Sequence, residues 1–193
     1  MQLEGLELMG NNLKNKVKYL GEGVRLYPLC KIIHPESAEL DDCCQIFDYV
    51  FIDAGRKLQI GKYSTLTWYT LIEGGSETII EDRVFIGPGT RILTSTYRLD
   101  GHFTVEHLPG DCNVIDYAGI TICKDAYIGA GCTILPGTYI GEGAVVGSNS
   151  LVKGRLDPWT VYVGTPCRPL RKRVPPTKER QNLIAQIDWT TNF

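Results

Sequence analysis

From Ile122 to Val152 an aliphatic residue stands at every sixth position without a break: Ile122, Ile128, Ile134, Ile140, Val146 and Val152. The fifth place of each hexad holds a small residue, namely Ala126, Cys132, Thr138, Ala144 and Ser150. Gly129, Gly141 and Gly147 follow three of the aliphatics directly. A period of six matches neither the 3.6 of a helix nor the two-residue alternation of a strand. It predicts a parallel β-helix, in which each hexad makes one short extended side and a turn. Three hexads close one triangular coil, and the stacked coils bury a continuous column of inward aliphatics. Glycine suits the corners, where a side chain would clash or φ turns positive.

The pattern extends backwards with interruptions. Leu20, Leu26 and Ile32 share the spacing, with Gly21 and Gly23 as turn residues. Leu40, Ile46, Ile52 and Leu58 repeat it in a shifted phase, and Ile60, Leu66 and Ile72 shift again. Ile80, Ile86 and Ile92 return to the phase of the later run. Each shift requires an insertion at a surface corner, so the early coils read as less regular than the late ones. The expected solenoid covers residues 20–165, preceded by a polar cap segment, 1–19. One long interruption over residues 93–119, LTSTYRLDGHFTVEHLPGDCNVIDYAG, must leave the coil and return to it. A loop of that length in a compact repeat protein is usually functional. Residues 166–193 form a basic connector followed by Leu183, Ile184 and Ile187, spaced for a short amphipathic helix. That helix is expected to cap the open end of the solenoid.

Charge and composition narrow the function classes. The 193-residue chain carries a net charge of −2 and has a pI near 5.9, which argues against a nucleic-acid partner or a membrane surface. The first residues hold no apolar stretch long enough for a signal peptide or a span, so a cytoplasmic protein without membrane insertion is expected. The seven cysteines include no C-x-x-C pair, and Cys43 and Cys44 are adjacent. Cys123 and Cys132 fall within the repeat and read as small buried fillers. All seven read as reduced thiols, with neither a disulfide framework nor a zinc site.

The hexads Ile80–Ile92 and Ile122–Val152, the connector LDPWTVYVGTP and the following RPLRKR resemble the bacterial hexapeptide-repeat acyltransferases. The likeness is to the subgroup of xenobiotic, galactoside and sugar acetyltransferases. The element V-G-T-P-C-R at 163–168 is similar to that family's G-N-P-A-[RK] terminator, with Thr165 for Asn and Cys167 for Ala. The resemblance implies an all-β fold, a left-handed parallel β-helix with a long inserted loop and a short C-terminal helix. It implies a homotrimer whose active sites lie between subunits. It also implies acetyl-CoA as co-substrate, with no metal. The function it implies is acetyl transfer to a sugar in surface-polysaccharide biosynthesis, lipopolysaccharide included. The acceptor group expected is the amine of a nucleotide-linked amino sugar, with a sugar hydroxyl as the alternative.

Candidate site residues follow from the chemistry. Acyl transfer from a thioester needs a positioned acceptor, a route for its proton and a donor for the oxyanion. The segment STYRLDGHFT resembles the family's N-H-R-x-D-G-x-T loop, with Tyr97 where the family has its histidine. The base is then His102, or less favourably His107. Otherwise an amine acceptor needs no histidine, and Asp100 holds or relays its proton. For the CoA arm the resemblance points to Gly129, Ala130, Gly147 and Ser148, with Thr165 against the arm or the adenosine. Arg168, Arg171 and Arg173 offer guanidinium groups matched to phosphate. Trp159 and Tyr162 are candidates to stack on adenine, and Tyr63, Trp68 and Tyr69 to line the sugar site. His102 and His107 are also spaced H-x4-H, the pair a γ-type carbonic anhydrase uses for zinc. That pair sits in an insertion rather than on coil positions, which leaves this a distant alternative.

Overall fold

In the computed structural model, residues 6–105, 108–109 and 112–186 are described. The hexads fold into a β-solenoid of parallel coils with three sheets as its sides. The first sheet stacks Tyr19–Leu20, Ala38–Leu40, Lys57–Ile60, Glu77–Ile80, Ile120–Ile122, Tyr139–Ile140 and Arg155–Leu156. The second stacks Arg25–Leu26, Gln45–Ile46, Thr65–Leu66, Phe85–Ile86, Tyr127–Ile128, Val145–Val146 and Thr160–Gly164, and ends on Cys167–Lys172. The third stacks Lys31–Ile33, Phe51–Asp53, Leu71–Glu73, Arg91–Leu93, Thr133–Ile134 and Leu151–Val152. All neighbours within the solenoid pair in parallel except the last two strands of the second sheet, which form an antiparallel hairpin.

The inward columns explain why strands of two or three residues hold together. Ile32, Ile46, Ile60, Ile86, Ile92, Ile122, Ile128, Ile134 and Val146 are fully buried, and each contributes about 1.5–3 kcal/mol by leaving water. The small residues of the fifth places fill the corners. Cys132 and Ala144 are 0% exposed, and Thr138 donates its hydroxyl to the Leu135 carbonyl. Every cysteine among the described residues is a free thiol. Burial pushes the Cys44 thiol up to about 12 and that of Cys30 to about 11.

The early coils are as regular as the late ones, which corrects the sequence expectation. Leu20, Leu40, Ile60 and Ile80 are successive partners in the first sheet. Each early coil therefore takes two residues more than three hexads, always at the corner between the third and first sheets. Leu58 and Ile60 both point inward from one strand, and Leu58 pairs with Ala38 and Thr78. The long insertion leaves from that same corner, between Leu93 and Ile120.

At the N-terminal end, turns at Leu6–Leu8 and Gly10–Leu13 cover the first coil, with Leu13 fully buried and Met9 bridged to Lys31. The C-terminal helix, Lys178–Gln186, does not close the far end as expected. Its Gln181 and Ile184 line a cavity of about 420 Å³ against Arg83, Lys124, Asp125, Glu142 and Trp159, at the corner between the first and second sheets. Ile187 lies outside the described residues. Among them, no helix is long and apolar enough to cross a membrane.

Candidate functional site

The corner between the second and third sheets carries the small residues singled out above. The Gly129 N–H donates to the Val146 carbonyl and the Gly147 N–H to that of Tyr162, each at 2.8 Å. A Cβ on Gly129 would stand 2.5 Å from the Ser148 nitrogen, so the closeness of adjacent coils requires glycine there. Ala130 is half-buried and Ser148 is exposed. The Asn149 N–H donates to the Ala130 carbonyl at 2.8 Å, and the Thr165 hydroxyl donates to the Asn149 carbonyl at 3.1 Å. Gly129, Ala130, Gly147, Ser148 and Thr165 thus share one edge of the last coils. With few side chains in the way, a linear amide-bearing ligand can approach its backbone closely.

The three arginines are not brought together. The hairpin pairs Val163 with Arg168 and Val161 with Arg171, so the strand runs back across the second sheet. Arg168 and Arg171 are exposed, and among the described residues each guanidinium donates to a nearby main-chain carbonyl, that of Cys167 and of Lys172. Arg173 ends at the opposite corner. There it donates to the carbonyls of Asp125 (3.1 Å) and Gly143 (2.9 Å) and lies over the Trp159 ring. Trp159 is occupied in that contact. Tyr162 is 7% exposed, and its hydroxyl accepts the Asp157 N–H, so it belongs to the core column.

The insertion is an antiparallel hairpin that pairs Ser95–Tyr97 with Ile115–Tyr117. Its base is pinned where the Thr94 hydroxyl donates to the Glu73 and Gly74 carbonyls, and where the Ser95 hydroxyl donates to the Glu73 carboxylate. The Tyr117 ring packs on Gly75, where a Cβ would meet it at 2.4 Å. Tyr97 is half-buried and stands opposite Ile115, while Asp100 is exposed in the turn. Asp116, which no local motif marks, receives a two-pronged hydrogen bond from Arg98. That guanidinium, assisted by His102, holds the Asp116 carboxyl below the usual carboxylate range. His102 is half-buried within electrostatic reach of this ionised carboxylate. His107 lies outside the described residues. Among those described, no three His, Cys, Asp or Glu side chains gather as metal ligands.

Residues 119–154 match the family described as bacterial transferase hexapeptide (six repeats). The chain carries the hexapeptide-transferase repeat. A curated relative of this kind is the dTDP-4-amino-4,6-dideoxy-D-glucose acyltransferase of Escherichia coli, 27% identical over 158 residues that cover 81% of this chain and 82% of that protein. Among solved structures the chain is similar to AntD, an N-acyltransferase from Bacillus cereus in complex with dTDP and 3-hydroxybutyryl-CoA. That likeness has a TM-score of 0.82 at 27% identity, covering 90% of this chain and 92% of that one. The hexapeptide-repeat acetyltransferase VCA0836 of Vibrio cholerae matches with a TM-score of 0.59 at 25% identity, over 85% of this chain and 78% of that one. The matched segment, 119–154, begins just after the hairpin insertion and stops just before the Arg168 hairpin. The two elements that carry reactive or cationic side chains therefore flank it.

Proposed function

We propose that this sugar acyltransferase is an N-acetyltransferase, moving an acetyl group from acetyl-CoA to the amino group of a nucleotide-linked amino sugar. The likeness to AntD carries the reading, since it spans nine-tenths of both chains and a further AntD complex holds dTDP-4-amino-4,6-dideoxyglucose and coenzyme A. The geometry described above supports it. The edge through Gly129, Ala130, Gly147, Ser148 and Thr165 takes the amide-bearing arm of CoA, and Arg168 and Arg171 take its phosphates. Arg173 braces the corner between the first and second sheets instead. The amine attacks the thioester carbonyl, a C–N bond forms, the C–S bond breaks and CoA leaves as its thiolate. The proton lost by the amine passes to His102, with Asp116 steadying the imidazolium that results. Tyr97 and Asp100 stand on the same hairpin, where they orient the acceptor. A homotrimeric, cytoplasmic enzyme that serves surface-polysaccharide synthesis fits the resemblance.

The His102–Asp116–Arg98 array favours one second reading. A hydroxyl acceptor needs a base more than an amine does, so the same array suits O-acetylation. A thiol-release assay with acetyl-CoA against nucleotide amino sugars and simple glycosides separates the two. Turnover confined to amino sugars supports N-acetylation, and turnover confined to glycosides overturns it. His102→Ala is expected to lower turnover by about a hundredfold or more, and activity that survives the substitution removes His102 from the base role.

A further inference from the structure

The edge that carries Gly129, Ala130, Gly147 and Ser148 continues into the earlier coils with a different character. Its corner column runs Tyr49, Tyr69, Gly89, Gly131, Asn149, one residue per coil, all at positive φ. The Gly89 N–H donates to the Trp68 carbonyl, the Gly131 N–H to that of Pro88 and the Asn149 N–H to that of Ala130. These bonds fix the residues as successive rungs. The first two rungs are aromatic. Tyr49 and Tyr69 stack with ring centroids 5.2 Å apart and planes 5° from parallel. The next rung is glycine, and a Cβ on Gly89 would meet nothing within 4 Å. The ladder of rings therefore stops at Tyr69, which is 64% exposed beside Trp68 at 46%. No side chain projects from the Gly89 rung over its outer face.

We propose that Tyr69 is a stacking platform for a ring of the acceptor, its flat base or the apolar C–H face of its sugar, held on the rung that Gly89 leaves open. The inference rests on the reading that CoA lies along this edge. Thr165 to Gly89 is three coil steps of ~4.8 Å, or about 14 Å. A CoA molecule with its phosphates toward Arg168 thus brings its reactive end to Gly89. The acceptor must meet it on the side where the aromatic rungs begin. Exposed aromatic faces stack flat rings without reading their edges. Gly89 would then set specificity by its lack of a side chain.

The test compares Tyr69→Ala, Tyr69→Phe and Gly89→Tyr in the full chain. It measures acetyl-CoA affinity by calorimetry, the acceptor KM with a dTDP-linked amino sugar, inhibition by dTDP alone, and oligomeric mass by sedimentation. Tyr69→Ala is expected to raise the acceptor KM about 5- to 150-fold, the range for loss of one stacked ring, with acetyl-CoA affinity unchanged. Tyr69→Phe should keep the wild-type KM. Gly89→Tyr should extend the ladder, fill the slot and raise the KM in a folded protein, since Tyr49 and Tyr69 already adopt that backbone conformation. Weakened dTDP inhibition in Tyr69→Ala assigns the base to the platform, and unchanged inhibition with raised KM assigns the sugar. An unchanged KM in both Tyr69→Ala and Gly89→Tyr overturns the proposal. So does a change in oligomeric mass, which would make Tyr69 a subunit contact. Wild-type protein that binds no CoA would instead overturn the acyltransferase reading beneath it, a result visible before any variant is made.

Discussion

Ile128→Ala probes the stacked column directly. Ile128 is fully buried and pairs with Ile86 in the preceding coil and Val146 in the following one. Truncation removes three carbons from the core, which costs about 2.4 kcal/mol at ~0.8 per methylene. A cavity term adds to this, because the parallel ladders hold adjacent coils at a fixed ~4.8 Å and the site collapses poorly. The sum is about 3–4 kcal/mol. At ~2–4 °C per kcal/mol for a chain of this size, the melting temperature should fall by about 6–16 °C. Calorimetry or circular dichroism melts measure the drop, with Val105→Ala as control, an aliphatic truncation at a 62% exposed position expected to stay within ~2 °C. A fall in Ile128→Ala no larger than the control's would refute the argument that the inward column holds the coils.

Gly129→Ala forces a Cβ to within 2.5 Å of the Ser148 nitrogen, so calorimetry should find acetyl-CoA affinity reduced about tenfold or more, together with a lower melting temperature. The Asp116 carboxyl is held below its ordinary range by Arg98. Its contribution to the hairpin is therefore present above the ordinary carboxylate pKa and is lost as pH falls through the lowered folded value. Carboxyl-carbon NMR should show Asp116 titrating at higher pH in Arg98→Gln than in the wild type. With the Cys44 thiol near 12, roughly one part in ten thousand is thiolate at pH 8. Iodoacetamide should label half-buried Cys112 in the native protein and reach Cys30, Cys44 and Cys132 only after unfolding.

The coil architecture was legible because a solenoid repeats one solution. An inward aliphatic, a small corner residue and a glycine where coils touch recur until chance no longer explains them. The regularity of the early coils was not, because their two surplus residues sit at a surface corner that carries no hydrophobic signal. Leu58 and Ile60 also both turn inward, so counting hexads offered two phases for one strand. The close approach of adjacent coils at Gly129 was readable, because a glycine directly after an inward aliphatic marks a corner with no space for a Cβ. Arg168, Arg171 and Arg173 are close in sequence, but an extended strand carries Arg173 to the far corner, a separation that no local pattern announces. Asp116 had no local mark. Its partner Arg98 is 18 residues away, and only the hairpin register, Thr96 against Asp116, brings them side by side.

The proposal of N-acetyl transfer meets its hardest test in one reaction. Purified protein, acetyl-CoA and a dTDP-linked 4-amino sugar are mixed, free thiol is followed, and the product is analysed by mass spectrometry and NMR. The predicted result is thiol release that depends on the sugar, matched mole for mole by a product acetylated on nitrogen. Thiol release without the sugar, no release with any nucleotide amino sugar, or a product acetylated on oxygen would contradict it.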